Sequence, residues 1–304
     1  MYMLVEQAMN GLQYSALLFL LSAGLTLIFG IMNVVNLAHG SFYMVGAFCA
    51  AAAVASTGSF LVAILAAVVS ACLYGLVVER LVINRLYQRD HLDQVLATLG
   101  IMLFTNALVT LVFGRSPPFV AIPELLSGSV QILPGLNYPV MRLAFIGAGV
   151  FVAIGLWYLI SRTKVGMLVR AGADDSEIVE ALGINIRRLF MLVFGLGALL
   201  CGFAGVMAAP LLAVEIGMGE KVLITTFVVI VVGGVGSVRG ALLGSLLVGM
   251  TDSFGRAFIP IWMSKLLPPE YSDSISSSLV SASIYILMAV VLLVKPRGLI
   301  PAQR

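Results

Sequence analysis

The run Gly11-Leu-Gln-Tyr-Ser-Ala-Leu-Leu-Phe-Leu-Leu-Ser-Ala-Gly-Leu-Thr-Leu-Ile-Phe-Gly-Ile31 holds no charged residue. About 20 apolar residues in a helix cross the roughly 30 Å hydrocarbon core of a bilayer. The stretch therefore reads as a transmembrane helix. Further apolar runs follow near 41–57, 60–79, 93–114, 140–161, 189–213, 221–238, 240–258 and 276–294. The run at 41–57 is short, and Asn33 to Gly40 before it reads as a break. Residues 33–57 therefore read either as a loop plus a span or as one discontinuous helix, and the count is eight or nine.

Composition agrees. Of 304 residues, 61% are hydrophobic and 10% charged, whereas a soluble domain carries about 25% charged residues. The expected fold is all-α: a polytopic membrane bundle of eight or nine helices, forming a single transmembrane domain over residues 1–304. The net charge of +3 is small and its basic residues are scattered between spans, which argues against nucleic-acid binding. The N-terminus has no Lys or Arg ahead of its apolar run, so the first helix is expected to stay in place rather than act as a cleaved signal.

The basic residues set the topology. Arg80, Arg85 and Arg89 fall in 79–93; Arg162, Lys164, Arg170, Arg187 and Arg188 in 162–188; Lys295, Arg297 and Arg304 in the tail. With Arg239, these make 12 of the 17 Lys and Arg residues. Alternation of the spans lets all of them share one face, which the positive-inside rule makes cytoplasmic, the C-terminus included. With nine spans the N-terminus lies outside. The opposite face carries the proline-rich segments 115–139 and 259–274, expected as ordered loops or short helices across a mouth.

Three segments stand out. In 162–188, Asp174, Asp175 and Ser176 are suited to cap a helix start, with Glu177 and Glu180 in its first turns. Ile178, Ala181 and Leu182 form an apolar stripe, and Gly183 and Asn185 supply a stop. So short a helix is marginal alone, and its stripe must rest on the bundle, on the membrane or in a groove of a partner. Its mixed charges fit a membrane surface poorly and favour the partner. In the second segment, Asn33, Asn36 and His39 are costly at membrane depth unless they line water or pair with freed backbone; a solvated turn is the other reading. In the third, Gly233, Gly234, Gly236, Gly240, Gly244 and Gly249 crowd two helices, with small residues at four-residue spacing for close packing. No Lys follows a Gly, so the segment is not a Walker A loop.

Other features read as structural. Cys49, Cys72 and Cys201 lie in apolar runs without Cys-x-x-Cys spacing and fit helix contacts. Asp252 and Arg256, at i and i+4, read as a neutralising pair rather than a proton relay. His39-Gly40-Ser41 and Arg239-Gly240-Ala241 form a weak internal match, with breaks on the same side. No metal motif and no catalytic constellation is present, so an enzyme is not expected.

Together these segments resemble the permease subunits of bacterial high-affinity branched-chain amino acid ABC importers, of the leucine/isoleucine/valine type. The resemblance rests on Gly24 to Gly40 with Tyr43-Met-Val-Gly46, on Arg170-Ala171 with Asp174 and Ala181 to Asn185, on Gly233 to Gly244, and on Lys295-Pro-Arg-Gly-Leu299. It covers about residues 10 to 300. Arg239 departs from the pattern, where Pro or another uncharged residue is more usual.

The resemblance implies a transmembrane permease in the bacterial inner membrane. It would pair with a homologous second permease, two cytoplasmic ABC ATPases and a periplasmic substrate-binding protein. The chain itself would bind no cofactor, ATP and Mg being used by the partner ATPases. Arg170, Ala171, Asp174, Asp175, Glu177, Glu180, Ala181, Leu182, Gly183, Ile184 and Asn185 would form the coupling segment that docks in the ATPase. Asn33, Asn36, His39, Gly40, Gly233, Gly234 and Gly236 are candidates for the translocation path. Two alternatives remain open at this point: a urea or short-amide permease of the same family, and an ATP-independent secondary transporter. The latter needs intramembrane carboxylates, for which Asp252 is the one clear candidate.

Overall fold

A computed structural model describes residues 2–87 and 89–301, with the side chains of Glu177, Pro269 and Glu270 outside the described set. Arg304, grouped above with the basic tail, also lies outside it. The helices are α1 (Tyr2–Met32), α2 (His39–Thr57), α3 (Phe60–Leu81), α4 (His91–Phe113), α5 (Val140–Arg162), α6 (Lys164–Asp174), α7 (Ser176–Ala181), α8 (Ile186–Ala208), α9 (Met218–Gly233), α10 (Val238–Leu266) and α11 (Pro269–Val294). Eight of them are long and apolar enough to cross a membrane. The helical fold class expected from the sequence holds. One small exception is a hairpin of β1 (Ser129–Leu133) and β2 (Leu136–Pro139) in the proline-rich segment.

Helix ends are set by local chemistry. Asn33, at φ 51°, ends α1 in the left-handed conformation and donates its N–H to Phe29 O. Ser59 caps α3, Thr163 caps α6 and Ser237 caps α10, each accepting a backbone N–H. The expectation of an ordered loop or short helix over 259–274 is corrected. Helix α10 continues through Pro260 to Leu266, and α11 starts at Pro269. The neighbouring helices of a packed bundle tolerate the amide that proline removes. Only Pro268 and Pro269 mark the turn.

Close contacts orient the bundle. The central helix α1 is antiparallel to α10: Gly11 faces Met250 and Ser253, Gly249 faces Ser15, and Gly30 faces Gly236. It is also antiparallel to α8, with Gly24 on Gly197, while α8 runs antiparallel to α3, with Gly75 on Ala198 and Gly202 on Ala67 and Ala71. One end of the bundle therefore carries the C-terminus of α1, helices α6 and α7, and the start of α10. The loop between α3 and α4 lies there too, because Tyr87 packs on Phe190 at the start of α8 (ring centroids 5.1 Å apart). So does the tail, where Ile300 N–H donates to Gly233 O. We call this the basic end, since the described members of all four basic clusters fall on it. The β-hairpin occupies the other end, where Tyr138 donates to Asn10.

These directions decide the span count. Helix α8 runs to the hairpin end and α10 starts at the basic end, so residues 209–237 must cross between them. Helix α9 has 16 residues, about 24 Å, short of the roughly 30 Å core; the non-helical stretch 209–217 makes up the rest. The described residues cross nine times, which puts Tyr2 and Ile300 at opposite ends of the bundle.

The same directions reveal two inverted units. In α1–α2–α3 and in α8–α9–α10, a long helix is followed by a break, a helix that restarts inside the bundle, and a return. Helix α3 packs along α8 as α10 packs along α1, and the two units run in opposite senses. Interrupted helices in inverted repeats are a transporter architecture. The internal match expected from sequence is thereby corrected. His39-Gly40 corresponds in position to Met218-Gly219, not to Arg239-Gly240. The likeness of Arg239-Gly240-Ala241 to His39-Gly40-Ser41 is a chance match between apolar glycine-bearing helices.

Candidate functional site

Residues 34–38 run back from the basic end into the bundle without helical hydrogen bonds. Two side chains one turn apart on α4 satisfy part of that backbone. Gln94 Oε1 accepts from Val35 N–H at 3.3 Å, and Thr98 Oγ1 accepts from Leu37 N–H at 3.2 Å. Asn36 is fully buried, and its Oδ1 accepts from Ala38 N–H at 3.0 Å. Helix α2 then starts at His39, beside Leu21 of α1. Leu21 lies eleven residues before the end of α1, roughly 16 Å inside the bundle.

At this level the two restarted helices meet. The backbone of Gly40 lies against that of Gly219, and a Cβ on either would run into the other's carbonyl. His39 is fully buried, with Nε2 3.0 Å from Leu21 O and 3.0 Å from Cys201 Sγ. A carbonyl only accepts, so Nε2 donates to it, and Nδ1 is left without a partner. Thr26 Oγ1, Asn36 Nδ2, Ser41 Oγ and Tyr43 OH are also buried and unpartnered. Each such group costs about 1–3 kcal/mol; Tyr43 lies with His39 where the two helix N-termini converge, whereas Thr26 lines the cleft between α1, α5 and α10. At that convergence His39, Tyr43, Gly219 and Thr226 line a crevice with no room for a water molecule.

The path candidates therefore separate. Asn36, His39 and Gly40 come together inside the bundle, whereas Asn33 is an exposed helix stop. Gly233, Gly234 and Gly236 lie at the basic end. There Gly233 packs on Gly240, Gly234 at φ 108° lies against Ile300 and Pro301, and Gly236 at φ 80° touches Gly30. Gly219 and Glu220 were not singled out from sequence, although the polar break after Pro210 was a signal for them. Half-buried Glu220 accepts a hydrogen bond from Asn106 of α4, so Asp252 is not the one carboxylate among the spans. Asp252 itself pairs with Arg256 at 2.7 Å as expected.

The coupling candidates share one place, outside the bundle at the basic end. The single helix expected there is two. Amphipathic α6 rests Gly172 on Ile31 and Leu189, and Arg170 donates to Ile160 O. Asp174 closes α6, and Asp175 accepts from Ile178 N–H at 3.0 Å to open the six-residue α7. Gly183, at φ 86°, is the stop, whereas Asn185 caps the next helix by accepting from Arg188 N–H at 3.1 Å. Ala171 and Ile184 are half-buried, while Glu180 is exposed. The stripe Ile178, Ala181 and Leu182 is exposed too, Leu182 by 74%, because Val179 is the α7 side chain that turns inward. The side chain of Glu177 lies outside the described residues. Nearby, burial and then the hydrogen bond to Glu79 hold the Tyr87 phenol above its ordinary range.

Nine passes, inverted units with interrupted helices and a short exposed helix at the basic end fit a multi-pass membrane permease. The chain belongs to the family described as branched-chain amino acid transport system / permease component, whose model matches residues 7–292. It is a membrane component of a transport system and not an enzyme. It is similar to the high-affinity branched-chain amino acid transport system permease protein BraD of Pseudomonas aeruginosa, at 29% identity over 98% of this chain and 96% of the relative. It is equally similar to the corresponding protein LivH of Escherichia coli K12, at 29% identity over 97% of this chain and 95% of the relative. A probable branched-chain amino acid transport permease protein LivH of Methanocaldococcus jannaschii is 28% identical over 79% and 77%.

Proposed function

We propose that this chain is the permease subunit of an ATP-binding-cassette importer that moves branched-chain amino acids, handed over by a periplasmic binding protein, into the cytoplasm. It sits in the inner membrane with the basic end and the C-terminus cytoplasmic, as the positive-inside rule requires. A second, homologous permease completes the pore and two cytoplasmic ATPases drive it. ATP and Mg belong to those ATPases, and this chain holds no cofactor of its own.

The observation that carries the reading is the exposed stripe Ile178, Ala181 and Leu182 on a short helix held out from the basic end. So short a helix gains from being seated in a groove, and Arg170 through Asn185 would form the contact. Closure of the ATPase pair would push this segment, and α6 would pass the displacement to Ile31 of α1 and Leu189 of α8. Ligand binding shifts such an equilibrium only through contacts that differ between its states. Asn36, His39 and Gly40 would border the path where the two interrupted helices meet. The Gly40–Gly219 contact lies at that level.

The test is affinity purification from native membranes with mass spectrometry of every retained protein. Two ATPases and a sister permease, with a binding protein that retains leucine, isoleucine or valine, are expected. A chain that purifies alone under conditions that preserve such complexes would point to a secondary transporter. A captured binding protein that prefers urea or amides would move the substrate assignment.

A further inference from the structure

Between α1, α5 and the start of α10 lies a cleft of about 1140 Å³. Its walls include Leu27 of α1, Ile154 and Trp157 of α5, and Leu242 of α10. The last three are exposed on the bundle surface, so the cleft opens sideways, where lipid chains stand. Its lining along α1 runs from Phe19 to Ile31, roughly 18 Å, close to the depth of one leaflet of a ~30 Å core. At the basic end the lining is charged: Arg170 and Asp174 from α6, and Arg239 from α10. Arg239 is also the position where the sequence departs from the pattern it otherwise resembles.

We propose that this cleft binds one phospholipid of the leaflet at the basic end. Its phosphate would lie on Arg239 and Arg170, and a primary ammonium of its headgroup on Asp174. Guanidinium groups suit phosphate through several directed N–H donors. Arg170 uses one of its five on Ile160 O, leaving the others free for an oxyanion. Asp174 would disfavour a purely anionic headgroup and select one that brings N–H donors, as phosphatidylethanolamine does and phosphatidylcholine does not. Basic pockets between membrane helices are known lipid sites. An amino acid is far too small for the volume. A helix from another subunit would have to bury three charges without water, which is unfavourable unless each is paired. The inference rests on the membrane-spanning fold and not on the importer reading.

The test uses the full chain in nanodiscs of equal phosphatidylethanolamine, phosphatidylglycerol and phosphatidylcholine, with native mass spectrometry of the lipid retained after release. One phosphatidylethanolamine per chain is expected. Arg239→Ala should lower its retention roughly tenfold, the loss of one charge-assisted contact. Asp174→Asn should keep a phospholipid bound but remove the preference over phosphatidylcholine. Leu242→Trp, which fills the cleft and leaves the arginines intact, should displace the lipid. Retention of no lipid, or retention unchanged in both Arg239→Ala and Leu242→Trp, would overturn the proposal. So would a second permease chain occupying the cleft in the assembled complex.

Discussion

Gly40 and Gly219 touch backbone to backbone inside the bundle, each standing where the other's side chain would have to be. They open the two interrupted helices, so their contact joins the two inverted units. Only glycine permits that approach, because any Cβ would meet a main-chain carbonyl rather than a side chain able to turn aside.

Gly40→Ala and Gly219→Ala should each lower stability by about 1–3 kcal/mol, the range for overpacking a tight contact. The double variant should cost less than the sum, since either change already separates the backbones. Thermal unfolding in detergent measures both. Strict additivity would show that the two glycines do not act on one contact.

Gln94→Leu and Thr98→Val should each destabilise by about 1–3 kcal/mol, because Val35 or Leu37 N–H is left without its acceptor in a buried break. The local signature is hydrogen exchange: protection at residues 33–38 should fall while that of α8 stays unchanged. Equal loss throughout the bundle would contradict a local role for α4.

Gly183→Trp, or reversal of charge at Asp174 and Asp175 together, should abolish association with the ATPases while leaving membrane insertion intact. The glycine is needed at φ 86°, where a side chain strains the backbone. Normal co-purification of the ATPases with these variants would remove the coupling assignment.

Leu182→Glu should change stability by less than about 0.5 kcal/mol, since the side chain is exposed within the chain. It should nevertheless weaken ATPase association at least as much as the charge reversal. A stability loss without a binding loss would mean that the stripe rests on the membrane surface instead.

Topology is open to labelling. In a background with Cys49, Cys72 and Cys201 replaced by alanine, Ser127→Cys should react with a membrane-impermeant maleimide in intact cells. Arg187→Cys should react only after permeabilisation. The reverse pattern would invert the orientation proposed for the basic end.

Much of this protein was legible without coordinates. Apolar runs of about 20 residues have one stable solution in a bilayer, a helix with its backbone bonds internal, so the spans and the basic loops between them followed from composition and spacing alone. The stripe Ile178, Ala181 and Leu182 followed in the same way, from helical period. What the sequence could not show was which residues meet across the bundle. Helical periodicity describes one helix at a time, and in an apolar bundle nearly every face is hydrophobic. The pairing of Gly40 with Gly219, the support of residues 33–38 by Gln94 and Thr98, and the cleft beside Arg239 therefore came from the tertiary structure. So did the choice between eight and nine crossings, because only packing shows that the break at 33–38 and the 16-residue α9 after 209–217 each belong to a complete passage. Local chemistry determined the elements; close approach of backbones 179 residues apart decided how they were assembled.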